Sequence, residues 1–487
     1  MNKNKETYDG VRYNRSALMV VILLGAFCII MNQTLLITAY PTIMKDLNIS
    51  LSTVQWLTTL FLLVSGITIP LSAYLMKQIQ SKYLFLTALN LFLIGVLICY
   101  FGPTFKYLLF GRLLQGIASG IMLPLIQTIV LTLFQKNERG TAMGFVGLVV
   151  ALAPAIGPTL SGYIITYFNW KTLFLITIPL ILLSEIGALL FFKVSIPLKQ
   201  SKLDIPSVFL SIIGFGSLLY SISLASTKGW LSKEVIVLFF IGCTVLISFI
   251  VRELKISNPL LNLKVFSYST FSVSVFLSAI SYIALLGFES ILPDYIQKVH
   301  LESPIDSGLI LLPGSIVMGL MNPVTGKLFD RFGGRFLIPI GLTLLSLGTF
   351  PFLFITETTP ILLIAIFYAI RLLGISMVLM PVTTTGMNAL PNDMISNGTA
   401  TNNTLRQIAS SFGTAVLVTF LSSHAQATPT QSLAIGSSTL AIKESLEVAD
   451  YRHAFAMAFV FCIVALVSSL IIFRKKGSNT KKREKKE

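Results

Sequence analysis

Fourteen stretches of this chain are apolar for about twenty residues at a time: 17–39, 53–76, 84–103, 106–134, 141–167, 172–192, 206–226, 235–252, 270–297, 306–328, 336–355, 360–384, 398–421 and 453–473. A helix needs about 20 such residues to cross the hydrocarbon core of a bilayer, because every backbone N–H and C=O must find its partner within the segment. The pattern predicts an all-α polytopic membrane protein with one transmembrane helix per stretch. Composition agrees: 54% of the 487 residues are hydrophobic and 11% are charged, where soluble chains carry about a quarter charged. The first stretch is too long for a cleavable signal, lacks a small-residue cleavage site, and is followed at once by further spans.

Charge orients the spans. With the N-terminus placed in the cytoplasm, the inner segments hold 25 Lys/Arg and the outer loops 8, leaving Arg112, Arg371 and Arg406 inside spans. This threefold bias follows the positive-inside rule, and an even span count returns the C-terminus to the same side. The net charge of +16 draws on Arg474 to Glu487, which holds eight Lys/Arg and two Glu. Such a tail reads as a solvated end over anionic lipid rather than a nucleic-acid arm. The four cysteines lie in apolar segments without CxxC spacing and read as packing residues; no metal or cofactor is implied.

The two halves of the chain resemble each other. Pro70-Leu-Ser-Ala-Tyr-Leu-Met-Lys-Gln-Ile-Gln-Ser-Lys82 closes the second span, and Pro323-Val-Thr-Gly-Lys-Leu-Phe-Asp-Arg-Phe-Gly-Gly-Arg335 closes the tenth, 253 positions later. Gly140-Thr-Ala142 and Gly398-Thr-Ala400 open spans five and thirteen; Arg112-Leu-Leu and Arg371-Leu-Leu recur in spans four and twelve. The order gives a cytoplasmic N-terminus (1–16), a six-helix bundle (17–192), a linker with two inserted helices (193–269), a second six-helix bundle (270–473, with an outer loop at 422–452 that reads as mobile) and the basic tail (474–487). Repeated halves suggest a transporter with its substrate site between them near the midplane.

In span five, Gly144-Phe-Val-Gly-Leu-Val-Val-Ala-Leu-Ala-Pro-Ala-Ile-Gly-Pro-Thr-Leu-Ser-Gly162 combines two helix-kinking prolines, Pro154 and Pro158, with Gly147, Gly157 and Gly162, where a neighbouring helix can approach to backbone contact. Gly326-Lys-Leu-Phe-Asp-Arg-Phe-Gly-Gly-Arg335 is a tight, charged loop. Together these segments resemble the major facilitator superfamily, in its fourteen-helix drug:proton antiporter branch (EmrB/QacA type). Within that branch the chain is similar to the lincomycin-resistance-type multidrug exporters of Gram-positive bacteria, over roughly residues 15–475. The resemblance makes the span-five segment the antiporter motif, with Gly157-Pro158 and Gly162 at its heart, and spans 1, 2, 4, 5, 9, 10, 12 and 13 the walls of a central cavity. It makes 326–335 the cytoplasmic loop motif, in which Gly326, Asp330, Arg331, Gly333 and Arg335 form a latch. Asp330 is expected to sit on the dipole of the next helix and to pair with Arg331 or Arg335. In the first-half copy Ala73, Lys77 and Gln80 replace Gly, Asp and Gly.

The resemblance also implies an aspartate in span one, where this chain has Asn32. Asn32, Gln33 and Thr34 then remain as a polar cluster on the substrate cavity, with Arg371 in the second half, or as an interhelical clip. An ionisable group inside lipid is a functional candidate by default, and the acids available are Glu289, Asp294 and Glu185. Glu185 sits on peripheral span six and reads as a packing or snorkelling residue; Asp294 lies near the outer mouth. At about 1.5 Å per residue, Glu289, Asn32 and Arg112 all fall in the outer half of their spans, on cavity helices, so they are expected to meet. Glu289 is the leading proton carrier, with Arg112 and Asp294 beside it. Asn403, Arg406 and Gln407 match a polar run of the branch whose role is open.

No HExxH, GxSxG or P-loop is present, so enzyme chemistry and ATP-driven transport are not expected. The expectation is a proton-coupled antiporter that exports amphipathic drugs across the cytoplasmic membrane of a Gram-positive bacterium, powered by the proton gradient, in contact with lipid and functional as a monomer. A major facilitator transporter of one metabolite, exporter or importer, and a non-transporting membrane sensor are the alternatives.

Overall fold

The computed structural model describes residues 4–6, 12–193, 198, 202–425 and 438–484; 4–6, 12–13, 422–425, 438–447 and 472–484 are described by their backbone alone. After a short antiparallel strand pair, Asn4–Glu6 with Arg12–Asn14, the chain is helical. We number the long helices in order: α1 Arg15–Leu47, α2 Leu51–Gln78, α3 Ser81–Phe101, α4 Phe105–Leu133, α5 Arg139–Tyr167, α6 Thr172–Phe191, α7 Ile205–Lys228, α8 Lys233–Lys255, α9 Ser269–Lys298, α10 Pro304–Phe332, α11 Gly334–Phe354, α12 Ile361–Asn388, α13 Ile395–Ala425 and α14 Ser438–Glu484. Thirteen of these segments are long and apolar enough to cross a membrane, α14 through Val448–Ile471. The exception is α13. Its 31 residues suffice for a crossing, but Asn397, Asn402, Asn403, Arg406 and Gln407 dilute its apolar character. That run is affordable because α13 is an inner helix, packed against α2, α4, α7, α9 and α14.

Helix starts follow local chemistry. A side-chain oxygen at the N-cap takes up N–H groups that have no partner inside the helix. Asn14 does so for α1, Ser50 for α2, Asp204 for α7, Ser232 for α8 and Ser303 for α10. The expected outer loop at 422–452 is shorter than its span suggested, since α13 runs to Ala425 and α14 begins at Ser438; residues 426–437 lie outside the described part. The basic tail continues α14 as helix to Glu484.

Two large apolar cores form, one drawn chiefly from α1–α6 and one from α9–α14. The bundle has a terminal face, where α1 begins and α14 ends, and an opposite face. The halves meet along two seams. At the first, α5 lies against α10 in the most extensive helix–helix contact of the molecule. Small residues permit it: a Cβ on Gly144 would lie 2.5 Å from the Asn322 carbonyl oxygen, and one on Gly326 would strike Gly140. At the second seam, α13 meets α2 and α4, and the inserted hairpin α7–α8 covers it from outside. Leu219 fills the space over Gly66 and Ile67 that over Gly216. Trp230 meets Phe412 edge to face and donates to the Thr419 hydroxyl at 2.9 Å.

The hairpin is pinned at its base by Asp204, which caps α7 and takes two hydrogen bonds of 2.7 Å from the Arg252 guanidinium of α8. These bonds hold the Asp204 carboxyl well below the usual carboxylate range. Its stabilisation is therefore fully present above the unfolded value near ~4 and is lost only as pH falls through the depressed folded value. Asp204→Ala is expected to cost about 1 kcal/mol from the cap alone. Thermal unfolding in detergent at pH 7 should show a lower midpoint, with the gap to wild type shrinking below pH 4.

Candidate functional site

The terminal face of the α5–α10 seam is closed by one carboxylate. Asp330, in the last turn of α10, accepts from the backbone N–H of Gly140 and of Thr141, both at 2.7 Å, and from the Thr141 hydroxyl at 2.6 Å. These are unpaired donors of the first turn of α5, where the helix dipole also favours a negative charge. The sequence placed Asp330 on the next helix and paired it with Arg331 or Arg335. The structure corrects both points, because α5 of the other half brings its free N–H groups closer than α11 does. No ion pair joins Asp330 to either arginine among the described residues; Arg331 and Arg335 are exposed and lie over Phe332 and Phe336. Gly333 turns the chain with φ of 73°, in the left-handed region that glycine tolerates.

The pseudo-symmetric position is inverted. Lys77 of α2 reaches the N-terminus of α13 and donates to Asn397 Oδ1 at 3.0 Å, an oxygen that also accepts from the Asn262 backbone at 3.1 Å. A cation at a helix N-terminus opposes the dipole, so this contact is weaker than its partner. Further bonds across the halves lie on the same face: Arg139 to Asn388 and Asn392, Lys136 to the Asn388 carbonyl, Thr128 to Thr399, and Asn403 to Gln127. The deepest is Gln407 Nε2 to the Leu62 carbonyl at 3.5 Å. A cleft of about 580 Å³, lined by α1, α5 and α10 with Lys327 and Arg331 at its lip, lies alongside the latch.

In the Gly- and Pro-rich segment 144–162, Pro154 and Pro158 both sit within a continuous α5. Gly147 packs on Asn322 and Met380, and Gly157 lies against Thr34 of α1. Gly162 does not serve as a contact point: the nearest atom to a Cβ there is Ile305 Cγ1 at 3.9 Å, because α10 has diverged from α5 at this level.

Each half holds one arginine that is fully buried. Arg112 is fully buried and donates to Asn32 Oδ1 at 2.8 Å, Gln115 Oε1 at 2.8 Å and the Leu57 carbonyl at 3.0 Å, with its guanidinium 4.4 Å over the Phe61 ring. Asn32 is 1% exposed, so it is an interhelical clip and does not line a cavity; Gln33 and Thr34 are half-buried. Arg371 is equally buried. It donates to Thr349 Oγ1 at 3.2 Å and to the Ala284 carbonyl, and lies 3.9 Å over Phe288. Its Nη1 has no hydrogen-bond partner, and its burial excludes it from a cavity wall. Glu289, half-buried, does not meet Arg112 or Asn32. It faces Arg371 and the Tyr368 hydroxyl, which in turn neighbours Ser315. Asn32 faces the buried arginine of its half and Glu289 that of the other, at separations of 257 positions for this pair and 259 for the arginines, so Glu289 holds the place in the second half that Asn32 holds in the first. Motif spacing gave the pairing of the arginines, but this equivalence needs the helix positions. Tyr368 and Gln127 were not legible as site residues, having no motif around them. Asp294 is engaged near the opposite face by Lys298 at 3.0 Å and Tyr451 at 2.7 Å.

Two bundles, a carboxylate contact between them and a fully buried arginine in each make up the architecture. Residues 22–414 match the model of the Major Facilitator Superfamily. The chain belongs to this superfamily. It is 45% identical over 413 residues, 85% of this chain and 88% of the relative, to the uncharacterized MFS-type transporter YcnB of Bacillus subtilis. It is 36% identical over 467 residues, 96% and 97% of the two chains, to the lincomycin resistance protein LmrB of the same organism. The multidrug export protein EmrB of Haemophilus influenzae is 27% identical over 411 residues, 83% and 80% of the two chains. The fold is that of the human transporter MFSD10, with a TM-score of 0.64 at 13% identity over 93% of this chain and 99% of that one. This is a multi-pass membrane transporter with drug-exporter relatives, and not an enzyme.

Asp330→Asn should keep the side chain's shape and lose its charge. The dipole contribution of about 0.3–1 kcal/mol predicts a two- to five-fold faster alkylation of a reporter cysteine, Ser396→Cys, on the terminal face in a Cys243→Ser background.

Proposed function

We propose that this protein is a proton-driven exporter of amphipathic compounds in the cytoplasmic membrane, with both termini and the latched face in the cytoplasm. The bonds that join the halves gather on the terminal face, so the arrangement described is the one closed to the cytoplasm. Parting α5 from Asp330 and α13 from Lys77 opens that face. The names of the relatives, a lincomycin resistance protein and a multidrug export protein, support a cargo of drug-like compounds. One chain carries both halves, so a monomer is sufficient.

The observation that carries the proton reading is Glu289 beside Arg371 and Tyr368. A carboxyl in this position has two states. Ionised, it attracts the Arg371 guanidinium, whose Nη1 has no hydrogen-bond partner; protonated, it leaves the guanidinium to its carbonyl and ring partners. A nearby charge that changes with protonation is the means by which proton uptake biases packing. In the first half Asn32 gives Arg112 a neutral partner that never titrates, so coupling is assigned to the second half alone.

Glu289→Gln should lower drug-induced alkalinisation in everted vesicles at least ten-fold. Restoring an acid at the mate position, as N32D/E289Q, should recover a substantial part of it, since Arg112 is already placed 2.8 Å from that side chain. Exchange that survives E289Q unchanged removes Glu289 from the reading. A dead double variant restricts coupling to the geometry of the second half.

A further inference from the structure

Buried N–H groups without partners are uncommon in folded chains, since their lost hydration is not repaid, and each asks for an explanation. Four side-chain nitrogens of this kind gather where α13 meets α4 and α9: Arg406 Nε and Nη1, Asn402 Nδ2 and Gln127 Nε2. The residues are 7%, 1% and 0% exposed. Asn402, Asn403 and Arg406 share one face of α13 at spacings of three and four. Asn403 donates to Gln127 Oε1 at 2.7 Å, which draws Gln127 of the first half to the same place with its own N–H groups spare. The Arg406 guanidinium lies 3.9 Å over the Tyr282 ring of α9. Stacking occupies its face and leaves its edges, the hydrogen-bonding fork, open. No ion pair among the described residues includes Arg406.

All of these spare nitrogens are donors, and a permanent positive charge sits among them. The other two intramembrane arginines differ. Arg112 and Arg371 bond side chains and carbonyls of their own half, whereas Arg406 stands at the boundary between halves with a stacked ring for company. A dry, cationic, donor-rich site of this kind is complementary to a group with two acceptor oxygens and a negative charge, which the arginine fork takes in bidentate fashion.

We infer that Arg406, with Asn402 and Gln127, is the recognition point for an anionic group, a carboxylate or sulfonate, on an amphipathic cargo bound between the halves. The inference rests on the export reading for its cargo but concerns binding alone. Tyr282 supplies the platform that holds the fork in place, and Asn403 ties the site to the first half. An anion bound there touches both halves, so its departure is linked to their separation. Arg406 is distinct from the proton site: Tyr282 and Glu289 are two turns apart on α9, about 10 Å along the helix.

The test uses the full chain purified in detergent and two fluorescent probes of matched shape, 11-(dansylamino)undecanoate and its methyl ester. Wild type should bind the carboxylate at least ten-fold more tightly than the ester. Arg406→Gln should erase that preference while leaving ester affinity unchanged, and Arg406→Lys should keep part of it. Asn402→Ala, which removes a spare donor without touching the charge, should reduce the preference a few-fold and guards against misfolding of the arginine variants. A wild type that does not distinguish the probes, a preference that persists in R406Q, or an equal loss of both probes with N402A unchanged each overturns the inference. Binding needs no proton gradient, so carboxylate preference in a protein that fails to exchange protons would sink the antiport reading and leave this site standing.

Discussion

The Asp330 carboxylate on the first turn of α5 is the interaction around which the molecule is organised. Lipid offers no hydrophobic drive to hold one bundle against another, so helices associate through close packing and polar bonds. Glycines on α5 and α10 bring the two backbones together, and Asp330 satisfies donors that α5 cannot satisfy for itself. The position of the bond suits a contact that must break repeatedly. It lies at a helix end, where water can take over the freed N–H groups. The same bond at mid-membrane would leave them bare.

The two buried arginines express one design in two ways. Each guanidinium is accommodated by carbonyls, polar side chains and a phenylalanine ring, which makes a charge tolerable far from water. The difference lies in the mate positions 32 and 289. Arg112 has a neutral amide partner and one nitrogen, Nη2, without a hydrogen-bond partner. Arg371 likewise keeps one nitrogen, Nη1, without a partner, but it faces a carboxyl, a group that can take up and lose a proton. On the proton reading proposed above, the half with the carboxyl is the one that responds.

Much of the architecture was readable from residues alone, because a membrane helix declares itself by length and polarity. The fourteen helices follow from that, whereas the repeat and the inserted pair were read from recurring motifs such as Gly140-Thr-Ala142 and Gly398-Thr-Ala400. What the sequence hid was contact between distant segments. The loop at 326–335 is recognisable, but its docking onto Gly140 and Thr141 depends on helices 189 and 190 positions away. Asn32 looked available to a cavity since polarity does not reveal that Arg112 consumes it. Glu289 was identified as the acid of interest from its rarity, yet its partners Arg371 and Tyr368 became apparent only when α9 and α12 were placed side by side. Arg406 gave the least away, for an arginine that nothing satisfies looks the same in sequence as one with partners.

The inserted pair of helices gives the molecule a left and a right. One parting line between the bundles lies beneath α7 and α8, with Leu219, Trp230 and their neighbours as a lining; the other, along α5 and α10, has no such cover among the described residues. Acyl chains therefore press directly on only one of the two lines. A compound dissolved in the leaflet, approaching from the side rather than from the water, finds a shielded flank and a bare one, and the bare flank is the one whose terminal-face end Asp330 holds shut.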